Sequence, residues 1–295
     1  MNGIINFFKP KGITSHDAVN LFRKLLDMKR IGHTGTLDPN VTGVLPICIG
    51  KATRVSEYLI EADKEYISEV TLGFETDTQD IDGEILRSSK KRVSNKEIVE
   101  TFNKFHGDIN QTPPMYSAVR YKGKKLYELA RKNVIVKREP RSVRIETLDI
   151  IKNQNNKKII FKTECSKGTY IRTLCNDIGR TLGTYGYMSY LIRTGVGEFR
   201  IEDSLSVDYL KLIDRENIEN LILPMDKALN NLDKIILEEK YYKPITNGVM
   251  VEIQDKNDYD LNNNLKVYCR GKFIGIGRIL IKDEKYYIKM NKVLI

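Results

Sequence analysis

An α+β fold follows from three features of the sequence. Apolar residues recur at helical spacing in separate stretches: Ala18, Phe22, Leu25 and Leu26; Ile98, Phe102 and Phe105; and Ile171, Leu174, Ile178 and Leu182. Between them lie strand-like runs, clearest where Tyr66, Ser68, Val70 and Leu72 alternate on one face. Near Asn230 the composition shifts, and the remainder reads as a short helix interrupted by Pro244 and then several short strands carrying Gly248, Gly271, Gly275 and Gly277. A chain of 295 residues is long enough for one large domain with a sizeable core plus a small one.

The elements follow in order. Gly3 to Phe8 is an apolar strand ending at the turn Lys9-Pro10-Lys11-Gly12. Ser15 reads as the N-cap of the first helix, with His16 a surface residue in its first turn. Gly32 to Pro46 then reads Gly-His-Thr-Gly-Thr-Leu-Asp-Pro-Asn-Val-Thr-Gly-Val-Leu-Pro. Its glycines and prolines exclude a helix or strand interior, so it is a loop, anchored at its far end by Val41, Val44 and Leu45. It presents one carboxylate, Asp38, and one imidazole, His33. On residue chemistry alone Asp38 either closes a turn ahead of Pro39 or carries chemistry.

A helix is expected from about Ala52 to Ile60, and then the alternating strand, where Tyr66 is read from its pattern as a half-buried aromatic. The acidic loop Asp77 to Glu84 invites a calcium reading. It fails, because counting back from Gly83 places Thr78 at the first ligand position and Ser89 at the closing one. It is read as a solvated turn. Ser94 and Glu97 make a capping box. Beyond Gln111 an extended, proline-stiffened segment leads through Tyr116 to Lys122-Gly123-Lys124-Lys125 and a short helix, Leu126 to Lys132. Its cations and tyrosines suit either an RNA-gripping element or a solvated charged hairpin. Two strands, about Ser142 to Lys152 and Lys158 to Cys165, precede Ser166-Lys167-Gly168-Thr169-Tyr170-Ile171-Arg172-Thr173, with Arg172 near a helix start and beside its buried stripe.

Composition narrows the function classes. With 49 basic and 39 acidic residues the net charge is +10, and the pI is near 9.2. Such a surplus favours a polyanionic partner through phosphate neutralisation, although a lysine-, asparagine- and isoleucine-rich background would also produce it. The cysteines Cys48, Cys165, Cys175 and Cys269 form no Cys-x-x-Cys pair, and with three histidines a zinc site is not expected. Free thiols, no spanning apolar run and no signal pattern lead to the expectation of a soluble, cytoplasmic protein outside the membrane.

The Gly32–Pro46 stretch resembles the catalytic loop of the TruB family of tRNA pseudouridine synthases, departing from it at Asn40. Lys9–Gly12, Gln111–Arg131, Ser166–Thr173 and Tyr190-Leu191-Ile192-Arg193-Thr194 are similar to further motifs of that family. The resemblance implies a catalytic domain over 1–231, built on a mixed, mainly antiparallel sheet flanked by helices. It implies a thumb-like RNA-binding insertion at about 112–141 and a small PUA-like β-barrel over 232–295. It assigns Asp38 as nucleophile, Arg172 as its partner and Tyr66 as the ring that packs on the target base. It makes Tyr170 and Leu191 pocket walls, and His33 the residue that braces the space left by a flipped uridine. Lys9, Tyr116, Lys122 and Lys124 are expected against the RNA.

The activity so implied is isomerisation of uridine 55, in the T-loop of tRNA, to pseudouridine. It needs no cofactor and no metal, and a single chain acting as a monomer on the T-arm without guide RNA is expected. Three other readings fit parts of the sequence: a guide-RNA-dependent enzyme of the dyskerin type, a base-flipping glycosylase, and a non-catalytic RNA-binding protein.

Overall fold

The computed structural model describes residues 1–254, 261 and 263–295; residues 255–260 and 262, within the expected C-terminal unit, lie outside the described residues. The chain opens with strand β1 (Gly3–Lys9), whose residues are almost all buried, and helix α1 (Ser15–Leu26). Thr14, not Ser15, caps α1: its side chain accepts from the Asp17 amide, and the Asp17 carboxylate accepts from the Thr14 amide. Adjacent Thr and Ser are equally good caps, and the reciprocal acid three residues on decides for Thr14. That frees Ser15 for a different task.

Strands β2 (Ile31–His33) and β3 (Thr42–Ile49) bracket the Asp38 loop. The helix expected over 52–60 divides into a tight turn, Gly50–Arg54, and α2 (Ser56–Glu61). After β4 (Lys64–Leu72) comes a small hairpin, β5 (Phe74–Thr76) with β6 (Ile85–Ser88). Helix α3 (Asn95–Asn103) carries the Ser94–Glu97 capping box and leads to β7 (Gly107–Gln111). A second hairpin, β8 (Arg120–Tyr121) with β9 (Lys124–Lys125), runs into α4 (Leu126–Ala130). Strands β10 (Arg141–Gln154) and β11 (Lys158–Cys165), helix α5 (Ile171–Leu182), strand β12 (Gly186–Val196) and the short β13 (Phe199–Arg200) follow. Helices α6 (Val207–Leu212) and α7 (Arg215–Asn220) close this part.

These strands form one mixed sheet in the order β1-β3-β12-β4-β11-β10-β7, with β2 on β3 and β13 on β12. Every pairing is antiparallel except β12 with β3, where Ile192 faces Thr42 and Arg193 faces Gly43. β12 therefore joins two half-sheets. Helix α1 covers the β1–β3 half through Phe22, Ile5, Phe7 and Leu45, and α5 with α3 covers the other through Leu174, Ile178, Phe102 and Phe161.

The C-terminal residues form a second sheet: β14 (Lys234–Leu237), then the one-turn helix α8 (Tyr242–Thr246) around Pro244, β15 (Val251–Ile253), β16 (Leu265–Cys269), β17 (Lys272–Lys282) and β18 (Lys285–Val293). Its order is β14-β16-β17-β18-β15, a curled half-barrel around its own core of Ile235, Val267, Ile279 and Ile288. Gly275 permits the close approach of β18 to β17, since a Cβ there would meet the Lys292 carbonyl oxygen at 1.9 Å. Ile276 and Leu294 of this unit share a core with Ile4, Val44 and Cys48 of the first sheet.

Candidate active site

The loop between β2 and β3 is pinned on both sides of Asp38. The Ser15 hydroxyl accepts from the Leu37 amide at 2.9 Å and donates to the Leu37 carbonyl at 3.1 Å. On the other side the Pro39 carbonyl accepts from the Gly12 amide at 2.9 Å and from the Lys9 ammonium at 3.3 Å. Lys9 is wholly buried and also donates to the carbonyls of Pro10 and Ile13 at 2.9 and 2.8 Å. Burial pushes its ammonium down to about 8, against the attraction of Asp38. Lys9 thus supports the loop from beneath and does not reach the surface where contact with RNA was expected of it. With its neighbours held, Asp38 keeps its carboxylate half exposed, at 49 %, on the cavity floor.

Arg172 reaches Asp38 from the first turn of α5. Its guanidinium stands 3.2 Å from the Asp38 carboxylate and 3.4 Å from that of Asp80, and it donates to the Tyr116 carbonyl at 2.8 Å. The helix start is fixed by Gln111, whose side-chain amide pairs both ways with the Tyr170 backbone, at 2.7 and 3.0 Å. Asp80 overturns the solvated-turn reading of the acidic loop at that residue: its side chain is largely buried against Arg172, and burial raises its carboxyl above the usual range despite the guanidinium. Asn40, the departure in the catalytic loop, donates to Asp82, so the two loops are also joined at the rim.

Tyr66 lies on β4 directly across from Arg193 on β12, and Ser68 lies across from Leu191, so these four share one face. Irregularities in register flank the Tyr190–Arg193 segment, as bulges beside binding sites often do. Burial raises the Tyr66 phenol above its ordinary value, with the Arg193 guanidinium opposing, so the hydroxyl is protonated at neutral pH. His33, at the end of β2, is held below its ordinary value by burial and by the neighbouring Arg193 guanidinium, which favours the neutral imidazole at pH 7.

A cavity of about 650 Å³ opens over Asp38 and is lined by His16, His33, Tyr116, Tyr127, Arg131, Arg172 and Leu191, among others. A smaller recess of about 190 Å³ adjoins it, with Asp38, Tyr66, Tyr170, Arg172 and Leu191 in its walls. The structure therefore gathers Asp38, Tyr66, Arg172, His33, Tyr170, Leu191 and Tyr116 around one space. Lys122 and Lys124 stand apart from it, exposed on the β8–β9 hairpin. Tyr127, one of the tyrosines interleaved with cations in that segment, and Arg131 come closer, both lining the cavity. They are one helical turn apart, and the guanidinium lies over the ring at 5.4 Å. Among the described residues no group of His, Cys, Asp and Glu is arranged to hold a metal, and no helix is long and apolar enough to cross a membrane. Burial pushes the thiols of Cys48, Cys165 and Cys175 up to about 12.

The profile of the TruB family pseudouridylate synthase N-terminal domain matches residues 23–171, and that of the tRNA pseudouridylate synthase B C-terminal domain matches 172–230. The chain belongs to the TruB family. Among its relatives, a tRNA pseudouridine synthase B of Alkaliphilus oremlandii is 46 % identical, the alignment covering 100 % of this chain and 99 % of that one. Another, of Clostridium kluyveri, is 42 % identical over 100 % of both. Among solved structures, a Cbf5-Nop10-Gar1 complex contains a chain matched with a TM-score of 0.76 at 27 % identity, over 99 % of this chain and 85 % of that one. An H/ACA RNP bound to a substrate RNA containing 2'-deoxyuridine matches with a TM-score of 0.75 at 25 % identity and the same coverages. In this TruB-family chain the boundary between the two profiles falls between Ile171 and Arg172, so the acid and its guanidinium partner come from different matched regions.

Proposed function

We propose that the protein is a tRNA pseudouridine synthase that isomerises uridine 55 in the T-loop, with Asp38 as the nucleophile. The observation that carries this reading is the Arg172–Asp38 ion pair at the floor of a recess walled by Tyr66, Tyr170 and Leu191. The reaction breaks the C–N bond between uracil N1 and ribose and joins the same sugar carbon to C5 of the base, with the C5 proton released and N1 taking up a proton in exchange. A uridine stacked in RNA keeps its glycosidic bond out of reach, so it must be extruded, at a cost of about a few kcal/mol. Stacking of the freed base on Tyr66 offsets roughly 1–3 kcal/mol of that. Leu191 closes the opposite side, and neutral His33 braces the vacated place in the RNA.

The domains proposed are a catalytic one over 1–231, with the RNA-gripping insertion at about 112–141, and a PUA-like RNA-binding one over 232–295. The enzyme acts in the cytoplasm as a monomer on the tRNA T-arm. Guide independence is supported by the 46 % identity to a tRNA pseudouridine synthase B, against 25–27 % to the H/ACA-complex chains.

Release of tritium from tRNA transcribed with C5-tritiated uridine tests the proposal, without guide RNA and with Asp38→Asn alongside. Release by the wild type at one equivalent per tRNA, lost in the variant while tRNA binding persists, is the expected result. No release by the wild type, or undiminished release by the variant, would refute it. An unchanged RNA mass separates isomerisation from glycosylase action.

A further inference from the structure

Arg193 is the largest wholly buried side chain, 2 % exposed, yet among the described residues no carboxylate pairs with it. A buried guanidinium without an anion is costly unless its donors are used. Here Nε donates to the Val44 carbonyl at 2.7 Å, Nη2 lies 3.4 Å from the Gly35 carbonyl, and the residue stands beside Tyr66, its cross-strand partner on the same face. One side chain thus ties the Asp38 loop to β3 from β12 and flanks the tyrosine of β4. Gly43 lets the β12 backbone come close at this point: the φ there is +123°, and a Cβ would meet the Arg193 carbonyl oxygen at 2.2 Å.

We infer that Arg193 is a positioning residue for Tyr66, holding its ring in the recess and turning its hydroxyl hydrogen toward the extruded base. The reasoning is one of donor count. Guanidinium has donors only, so toward its neighbour Arg193 the phenol oxygen can act only as an acceptor. The single phenol hydrogen is then left to point elsewhere. Tyr66 lines the recess beside Asp38, so that hydrogen faces the space a flipped pyrimidine would take. A donor there meets the uracil ring as negative charge develops on it with loss of the glycosidic bond. Other ionisable groups facing this pair are Lys9 on β1, His33 on β2, Lys64 at the start of β4, Cys165 on β11 and Asp38 on its loop. Asp38 and Cys165 oppose charge on the phenol, and Arg193 favours it.

The inference rests on the proposed reaction, and two readouts keep their failures apart. In the first, 3-fluorotyrosine is placed at position 66 and its fluorine resonance is titrated. Arg193→Gln is expected to shift the midpoint to higher pH, with no activity required; an unmoved midpoint would overturn the inference. In the second, single-turnover tritium release is measured for Tyr66→Phe, Arg193→Gln and the pair. Each single change is expected to slow release roughly ten- to a hundred-fold, as loss of a hydrogen bond to a charged partner does. Within the Tyr66→Phe background Arg193→Gln should then cost less than about three-fold. Additive losses would make Arg193 a fold prop and overturn the inference, as would loss of the native melting transition in both Arg193→Gln and Arg193→Lys. Partial rescue by Arg193→Lys, which keeps charge and donors, supports it. Absence of release from the wild type counts against the reaction alone.

Discussion

Replacing Arg172 by Met removes the charge behind Asp38, the proposed nucleophile, while keeping most of the side-chain volume. The structure fixes what is lost: an ion pair to Asp38 at 3.2 Å, one to Asp80 at 3.4 Å, and a bond to the Tyr116 carbonyl at 2.8 Å. A hydrogen bond to a charged group contributes about 1.5–3 kcal/mol. Asp38 is half exposed, so solvent screening places its share at the lower end, and about 1.5 kcal/mol corresponds to a ten-fold slower chemical step or somewhat more. Stability should fall separately, because Asp80 is left largely buried without its cation, at a cost of roughly 2–4 kcal/mol near neutral pH. The sign with pH follows. Burial already raises the Asp80 carboxyl, and Arg172 opposes that rise. Without Arg172 the folded state takes up the proton at still higher pH than the unfolded chain, so the variant's deficit shrinks on acidification. Single-turnover tritium release gives the rate, and urea unfolding at pH 7.5 and 5.5 gives the stabilities. A wild-type rate, or a deficit that does not narrow at the lower pH, would refute the reasoning.

Two further outcomes are expected. Changing both Lys122 and Lys124 to Ala should weaken tRNA binding and lower the slope of log K against log salt by about 0.7–0.9 per lysine, measured by filter binding across a salt series, with the bound-state release rate little changed. Lys9→Met should alter how stability responds to alkali. The folded ammonium sits at about 8 and the unfolded one at 10.5, so between these values the unfolded chain holds the extra proton and wild-type stability climbs with pH. The variant loses that share of the climb and keeps the one from Lys64, also at about 8, which unfolding midpoints at pH 8, 9 and 10 will show.

What the sequence made legible was local. The Asp38 loop, the capping box at Ser94, both long strands before Ser166 and the helix over 171–182 all depend on neighbours in the chain, through turn chemistry, caps and apolar spacing. Arg172 was readable from its place near that helix start. Its second anion was not, because Asp80 is 92 residues away and is brought in by the fold around β5 and β6. Lys9 and Arg193 lay within recognised motifs, but burial decides their roles, and burial is a property of the assembled sheet. Ser15 likewise reads as a cap until the Leu37 backbone arrives beside it.

The core shared by Leu294 and Ile276 with Ile4, Val44 and Cys48 bears on how the protein is made. Synthesis delivers Ile4 long before Leu294, so part of that greasy flank waits, covered only by neighbours such as Val55, Leu59 and Leu229, until the last stretch of chain arrives. A premature stop inside β18 would therefore strip a layer from the protein's beginning as well as from its end.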